Sequence, residues 1–209
     1  MNYSNAEQFY EGINIVFDLY TKYGDNDYIG EEVTQLEHAL QCAHQASIEF
    51  PDNLEIILGA FLHDIGHLLS IHDSNQGVED KLIDFDNKSL NGLGLVNHEN
   101  IGADFLEKMG FPKSVSSLGR NHVIAKRYLI TKDGEYLNNL SDASKETFKL
   151  QGGVLSNIEL SNFELDKEHP VFIRMRHWDD MAKDTEFNYQ RNISFYRDMA
   201  VKLLITKNN

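Results

Sequence analysis

Apolar residues recur along this chain at intervals of three and four positions, and no stretch alternates convincingly between apolar and polar residues. Such spacing places apolar side chains on one face of an α-helix, as in helices that pack around a shared core. The 209 residues include only three prolines, so proline can interrupt a helix at few positions. The pattern therefore predicts an all-α protein.

Helix boundaries can be placed from capping residues and helix breakers. Thr34, followed by Glu37 three residues later, predicts a capping box, and Asn97 and Ser141 are candidate N-caps of later helices. Helices are predicted at about residues 6–23, 34–50, 53–69, 97–109, 113–128, 141–151, 170–183 and 188–205. The polar segment 70–94, rich in Gly, Asp and Asn, is predicted to be a long loop whose role the sequence leaves open.

Composition and charge narrow the classes of protein to consider. With 41% hydrophobic residues, the chain fits a single domain spanning residues 1–209. The formal net charge of −14 argues against binding to nucleic acid or to an anionic membrane. The single cysteine, Cys42, cannot form an internal disulfide, and the first residues do not resemble a signal peptide, so we expect a cytoplasmic protein. The oligomeric state stays open.

Candidate chemistry is concentrated in the stretch "GAFLHDIGHLL", residues 59–69, which places His63, Asp64 and His67 in an otherwise apolar run. His63 and His67 lie four residues apart and share a helix face. A buried carboxylate between two imidazoles needs a partner that offsets its lost hydration. A metal ion is such a partner, and this stretch predicts a metal site.

Further ligand candidates lie on separate predicted helices: His38, His98, His122 and Asp179. If Asp64 bridges two cations, His38, His63 and Asp179 could complete one site, while His98 and His122 complete the other. Each ion would then keep open positions, as a catalytic site requires. Imidazole and carboxylate without thiolate suit iron, manganese or zinc, and two histidines with one carboxylate favour non-haem iron. Cys42 is interpreted as a small buried thiol.

This order of residues, from His38 through HDxxH to two spaced histidines and a late Asp, resembles the HD-domain superfamily over about residues 38–183. Most HD proteins are metal-dependent phosphohydrolases. Three further parts of the chain, "YIGEE", "NHVIAKRYL" and "LSDASKETFKLQGG" with "RMRHWDD", resemble the PhnZ-type phosphonate-cleaving HD oxygenases, relatives of myo-inositol oxygenase. The resemblance implies a single HD-domain helical bundle, with its core at about residues 34–184 between flanking helices and a dinuclear metal site inside. It also implies two iron ions as Fe(II)/Fe(III) and dioxygen as co-substrate.

The resemblance also implies roles for individual residues. Tyr28 would occupy an iron position until substrate displaces it, and Glu31 would hold the substrate's amine. Asp179 rather than Asp180 is the expected ligand, because it precedes Lys183 by one turn as in the family pattern. The residues expected around the phosphonate are His67, Lys126, Ser144, Gln151 and Arg176, with Tyr28, Lys126 and His67 also expected to be catalytic.

The expected reaction is dioxygen-dependent cleavage of the C–P bond of a small organophosphonate, 2-amino-1-hydroxyethylphosphonate, to glycine and phosphate. A trimethylated or otherwise substituted phosphonate is an open alternative. A phosphohydrolase would instead need no oxygen and give Tyr28 no role, and an inositol-oxygenase-like enzyme would consume oxygen without releasing phosphate. A catalytically silent binding module would have lost ligands, whereas all six candidates are present.

Overall fold

The helices were located in a computed structural model that describes residues 3–75, 81–82, 95 and 97–207. Within these residues there are eleven helices: α1 (Tyr3–Tyr23), α2 (Gln35–Glu49), α3 (Leu54–Leu62), α4 (Ile65–Asn75), α5 (His98–Lys108), α6 (Lys113–Lys132), α7 (Glu135–Asn138), α8 (Asp142–Leu150), α9 (Asn157–Leu165), α10 (His169–Met181) and α11 (Ile193–Lys207). An isolated antiparallel bridge joins Asp27 to Thr34, and no strand occurs in the described ranges. The predicted all-α fold is confirmed.

Helix α3 lies at the centre of the bundle because its sequence is apolar on every side. Residues 57–62 are all buried, and α3 packs against α2, α6 and α11. Helix α6 packs in turn against α5 and α10, and α4 packs against α1 and α5. The helices that carry the ligand candidates therefore converge around the carboxyl end of α3.

The central apolar segment, predicted as one helix over residues 53–69, is two helices bent by 41°. Helix α3 ends before His63, and α4 begins at Ile65, so the HD pair occupies the bend. The apolar period continues through the bend, which is why the pattern alone predicted one helix. Helix α4 also continues to Asn75, so the prediction of a loop from residue 70 was wrong for its first six residues. Most of residues 76–94 lie outside the described ranges.

Capping predictions were mostly confirmed. Thr34 and Glu37 form the predicted capping box, and the Ser141 side chain caps α8. Asn97 does precede α5, but its φ of 65° is left-handed and its side chain makes no capping hydrogen bond, so that prediction was wrong. Helix α9 was missed because only Phe163 is buried along it, which leaves no apolar face for the pattern to reveal.

Helices α4 and α5 approach closely where glycine removes a side chain. A Cβ atom on Gly66 would lie 2.2 Å from the carbonyl oxygen of His98, a distance that no side chain permits. Because Gly66 lies two residues after Asp64, this contact brings His98 next to the HD pair.

In the described part of the chain, no single helix is long and apolar enough to cross a membrane. The bent pair α3–α4 together has the length and the apolar composition of a membrane span.

Candidate metal centre and active site

Six buried side chains from five parts of the fold converge on one point. They are His38 on α2, His63 and Asp64 at the bend between α3 and α4, His98 at the start of α5, His122 on α6 and Asp179 on α10. These are the six residues that the sequence analysis proposed as ligands.

Asp64 lies between two groups of imidazoles. Its Oδ2 lies 3.2 Å from His63 Nε2 and 3.7 Å from His38 Nε2. Its Oδ1 lies 3.5 Å from both His98 Nε2 and His122 Nε2. Asp179 Oδ1 joins the first group, 3.5 Å from His38 Nε2. The arrangement matches a set of four residues and a set of three that share Asp64, as a bridging Asp64 would create.

All four imidazoles are oriented by backbone carbonyl groups. The Nδ1 atoms of His38, His63, His98 and His122 lie 2.9, 2.9, 3.2 and 2.6 Å from carbonyl oxygens of Ala182, Ala60, Leu95 and Gly119. A carbonyl oxygen only accepts hydrogen bonds, so each Nδ1 carries a proton. In the neutral imidazoles, the Nε2 lone pairs therefore point into the cluster and are available to a metal.

The donor set fits two cations. The two Nε2 atoms of His98 and His122 lie 3.1 Å apart, and those of His38 and His63 lie 3.4 Å apart. Lone pairs this close repel each other unless a proton or a metal ion lies with them. Asp64 Oδ1 is buried without a hydrogen-bond partner among the described residues. The residues present thus fit metal ions, with six nitrogen or oxygen ligands and no thiolate.

Protonation of His63 offsets the carboxylate charge when no metal is bound. Burial alone would lower the pKa of His63, but the charge and hydrogen bond of Asp64 raise it to about 9. Burial lowers the pKa values of His38 and His122 to about 4. Burial would raise the pKa of Asp179, but the Arg176 guanidinium holds it well below its usual range. The centre therefore keeps its carboxylates ionised, as metal binding requires.

Cys42 lies one turn after His38, with its Sγ 3.6 Å from His38 Nε2. Cys42, His38 and His63 are close enough together to hold a metal, as are Asp64, His67 and His98. Burial raises the pKa of the Cys42 thiol well above its usual value, which disfavours the thiolate form that binds metals. The interpretation of Cys42 as a buried thiol is retained.

Tyr28 reaches the metal-ligand cluster from the loop between α1 and α2. The single proton of its hydroxyl is shared between two acceptors, Asp64 Oδ2 at 3.0 Å and Asp179 Oδ1 at 3.3 Å. Its ring stacks on His38, with ring centroids 3.8 Å apart. The hydroxyl thus contacts oxygens of both carboxylates in the first ligand group.

Tyr28 and Glu31 are the first and last residues of a tight turn. The Glu31 N–H donates to the Tyr28 carbonyl at 3.0 Å, and Gly30 has a φ of 75°, which glycine adopts without strain. A Cβ atom on Gly30 would lie 2.6 Å from the Cβ of Ala143, so the turn packs directly on α8. We call residues 28–31 the Tyr28 turn. Its position explains why the YIGE motif accompanies the ligand set.

A cavity of about 430 Å³ opens beside the cluster, and every remaining predicted site residue lines it. Lys126 is buried and donates a 2.9 Å hydrogen bond to Thr147 Oγ1. Burial and the nearby Arg176 charge lower the Lys126 pKa to about 7. Arg176 donates to Asp179 at 2.7 Å, to Ser144 Oγ at 3.2 Å and to Asp180.

Several buried polar atoms near the cavity lack a hydrogen-bond partner among the described residues: His67 Nδ1, Gln151 Oε1 and Arg176 Nε. Buried polar groups are normally paired, so atoms of this kind mark positions where a bound ligand can pair with them. The His67 ring stacks on the His98 ring at 4.0 Å, which fixes it next to the metal ligands. His67 Nδ1 and Arg176 Nε can donate to an anion, whereas Gln151 Oε1 and Glu99 Oε2, which also lacks a hydrogen-bond partner among these residues, can only accept hydrogen bonds.

Asp179 and Asp180 have different surroundings. Asp180 accepts hydrogen bonds from Tyr136 and Arg176, away from the histidines, whereas Asp179 contacts His38 and Tyr28.

Three cavity residues were missed by the sequence analysis as site residues: Glu99, Thr147 and Lys183. Thr147 follows Ser144 by three residues on α8, so helical spacing could have identified it. Lys183 Nζ lies 2.6 Å from Glu31 Oε1, although the two residues are 152 positions apart. No local pattern could have revealed that pair.

Comparison with known proteins bears on the whole site. The model of the HD domain family matches residues 35–147. A hydroxymethylphosphonate dioxygenase of Gimesia maris is 38% identical over 176 residues, which cover 83% of this chain and 79% of the relative. A [1-hydroxy-2-(trimethylamino)ethyl]phosphonate dioxygenase (glycine-betaine-forming) of Leisingera caerulea is 38% identical over 183 residues, which cover 88% of this chain and 83% of the relative. An uncharacterized protein of Acanthamoeba polyphaga mimivirus is 38% identical over 206 residues, which cover 99% of this chain and 88% of the relative.

The match to the family model spans more than half of the chain, and it includes five of the six ligand candidates. The two named relatives are similar to a larger share of the chain than the family model matches. The chain therefore belongs to the HD-domain family and, within it, to the group of PhnZ-type phosphonate dioxygenases.

Proposed function

We propose that this protein is a di-iron oxygenase that uses dioxygen to cleave the C–P bond of a 1-hydroxyphosphonate. One observation carries the proposal: a cation-lined cavity opens directly onto a cluster of four histidines and two carboxylates. His38, His63 and Asp179 would hold one iron, His98 and His122 the other, and Asp64 would bridge them. When bound, the irons supply the redox chemistry that lets dioxygen oxidise the substrate at C1.

The phosphonate group is expected to bind one helical turn away from the metal ligands. Lys126 follows His122 by four residues on α6, and Arg176 precedes Asp179 by three on α10. Side chains at these spacings lie on one helix face, about one turn of 5.4 Å apart. An anion held by Lys126 and Arg176 therefore places the adjoining C1 close to the ligand cluster.

The charges in the cavity suit this substrate. The chain as a whole has a net charge of −14, so it repels anions unless positive groups are concentrated locally. Lys126 and Arg176 place cationic donors in the cavity; Arg176 is already paired with Asp179 and Asp180, and with a pKa of about 7 Lys126 gains its full charge when an anion binds beside it. Ser144 and Gln151 add hydrogen-bonding groups to the same cavity. His67, stacked on His98, completes the proposed phosphonate site.

The proposed substrate is 2-amino-1-hydroxyethylphosphonate, which with one dioxygen gives glycine and phosphate. A C–P bond offers no alkoxide leaving group, so simple hydrolysis does not achieve this cleavage, whereas oxidation at C1 does. The two named relatives act on phosphonates with no substituent and with a trimethylamino group, so the proposed substrate lies between them in size. Glu31 on the Tyr28 turn is proposed to bind the substrate's amine.

The test is phosphate release by the protein reconstituted with iron under a reductant. We expect release from 2-amino-1-hydroxyethylphosphonate only when oxygen is present, with one glycine formed per phosphate. Asp64→Ala should abolish the release, and the matched surface variant Asp52→Ala should not. The same assay is run with the substrates named for the two relatives, hydroxymethylphosphonate and [1-hydroxy-2-(trimethylamino)ethyl]phosphonate. The proposal would be contradicted if none of these three phosphonates released phosphate while a phosphate ester was hydrolysed without oxygen in the presence of Mn²⁺.

A further inference from the structure

The ion pair between Glu31 and Lys183 forms part of the cavity wall, and the roles proposed above give Lys183 no function. Lys183 Nζ lies 2.6 Å from Glu31 Oε1 and donates a second hydrogen bond of 3.2 Å to Ser141 Oγ. The side chains of Lys183 and Glu31 are only 17% and 13% exposed. At this depth either charge alone would lose much of its hydration, so the pairing offsets part of the cost of burying both residues.

A cationic group on a substrate would find few acidic partners in this cavity. Apart from the two carboxylates in the metal-ligand cluster, the acidic residues among the described lining are Glu31 and Glu99. Glu99 lies beside His98 and interacts with Lys126, at the end proposed for the phosphonate. Glu31 is therefore the suitable partner for a substrate cation, and the Lys183 ammonium already contacts it.

The same ion pair is connected to Tyr28 through the backbone of the Tyr28 turn. Glu31 and Tyr28 are the two ends of the Tyr28 turn, joined by a 3.0 Å backbone hydrogen bond. Lys183 follows directly after Ala182, whose carbonyl oxygen orients His38, the residue on which the Tyr28 ring stacks. Lys183 thus holds one end of the turn while the Tyr28 hydroxyl binds two ligand carboxylates at the other.

We propose that Lys183 determines substrate specificity by occupying the position of the substrate's cation. A phosphonate that carries an ammonium group displaces Lys183 from Glu31, which frees the Tyr28 turn to move. A phosphonate without a cation leaves the ion pair and the turn in place. Because it concerns the same cavity and the same class of substrate, this inference rests on the proposed function.

The first test measures binding without turnover, by calorimetry on the iron-loaded protein in the absence of oxygen. We expect Lys183→Met to tighten the binding of 2-amino-1-hydroxyethylphosphonate by about tenfold, because a like charge next to the ammonium is removed. Binding of hydroxymethylphosphonate should change by less than about threefold, because that ligand does not contact Glu31. Lys183→Arg should keep the wild-type ratio of affinities. Equal changes for both ligands, or weaker binding of the amino compound alone, would overturn the proposal.

Lys132→Met is the matched control, because Lys132 also pairs with a glutamate, Glu164, but lies on the surface away from the cavity. It should leave both affinities unchanged.

The second test follows the turn itself, by amide hydrogen exchange in the full-length protein without substrate. Lys183→Met and Lys183→Gln should both speed exchange of the Glu31 amide, by about tenfold, while amides in α3 keep their wild-type rates. Unchanged exchange at Glu31 in both variants would contradict the link between Lys183 and the turn. This readout does not depend on catalysis, so its failure can be told apart from an absence of oxygen-dependent phosphate release.

Discussion

The hydroxyl of Tyr28 donates a 3.0 Å hydrogen bond to Asp64 Oδ2, the carboxylate oxygen that faces His38 and His63. A tyrosine from a loop outside the matched family region is thereby attached to Asp64, the central candidate ligand. Any ion that takes Asp64 Oδ2 as a ligand competes with this hydrogen bond. Metal binding and the position of the Tyr28 turn are therefore coupled.

Tyr28→Phe should destabilise the metal-free protein more than the iron-loaded protein. The variant keeps the ring stacked on His38 but removes the hydroxyl, whose single proton is shared between two charged carboxylates and contributes about 2 kcal/mol to the free energy of unfolding. Urea unfolding with and without iron would measure this difference. Tyr10→Phe, at an exposed position on α1, serves as the control. Equal losses in both forms would argue against competition between Tyr28 and the metal.

Metal stoichiometry should reveal which ligand bridges the two sites. We expect His122→Ala to reduce the iron content from two to about one per chain, since it removes a ligand of one ion only. Asp64→Ala should reduce it to below one, because Asp64 faces both groups of imidazoles. Elemental analysis after anaerobic reconstitution would measure both, with His169→Ala as a control outside the cluster. One full iron retained by Asp64→Ala would show that the two sites do not share it.

Lys126→Met should stabilise the metal-free protein at pH 7, by an amount on the order of a few kcal/mol. Burial lowers the Lys126 pKa from 10.5 to about 7, so between these values the unfolded chain binds a proton that the folded chain does not. Wild-type stability therefore rises as the pH increases from about 7 to about 10. The advantage of Lys126→Met should be largest below pH 7 and should shrink over this interval.

Urea titrations at several pH values would follow the difference between Lys126→Met and the wild type. Lys132→Met, which alters an exposed lysine, should show no such dependence. A stability difference that stayed constant between pH 7 and 10 would mean that Lys126 keeps its ordinary pKa.

Gly30→Ala should displace the Tyr28 turn. An alanine at a φ of 75° costs about 1 kcal/mol, and its Cβ would also overlap the Cβ of Ala143. We expect a lower free energy of unfolding and faster amide exchange at Glu31, with iron still bound. Adding Ala143→Gly should restore part of the stability, because it removes the overlap but not the unfavourable backbone angle. No recovery in the double variant would mean that the turn does not pack on α8 as described.

The sequence predicted most where the signal was local. The capping box of α2 and the cap of α8 involve residues three positions apart, and both were confirmed. Helix α9 was missed, although Ser156 and Glu159 form a capping box, because Ile158 and Leu165 are exposed and give no apolar face. A capping box alone is a weak indication of a helix when the residues that follow it form no apolar face.

The candidate ligands could be proposed because chemistry restricts which residue types bind metals, and their order along the chain resembled a known family. The bend at His63 could not be predicted, since a 41° change of direction leaves the apolar period intact. The pairing of Glu31 with Lys183 depends on how the ends of distant helices pack. Relationships of this kind arise only when the whole bundle has formed.

The four imidazoles are aligned by peptide carbonyl groups rather than by side chains. A substitution at Ala60, Leu95 or Ala182 changes a side chain but keeps the accepting carbonyl group. At Gly119 a Cβ atom would lie 2.7 Å from the His63 carbonyl oxygen, so the backbone there would have to shift. Replacing side chains therefore does not remove any of these four acceptors, although each of them orients a candidate ligand. Only a change in the backbone itself, such as replacing an amide with an ester, weakens such an acceptor. The orientation of the four imidazoles therefore depends on the course of the helices and on the close packing at Gly119.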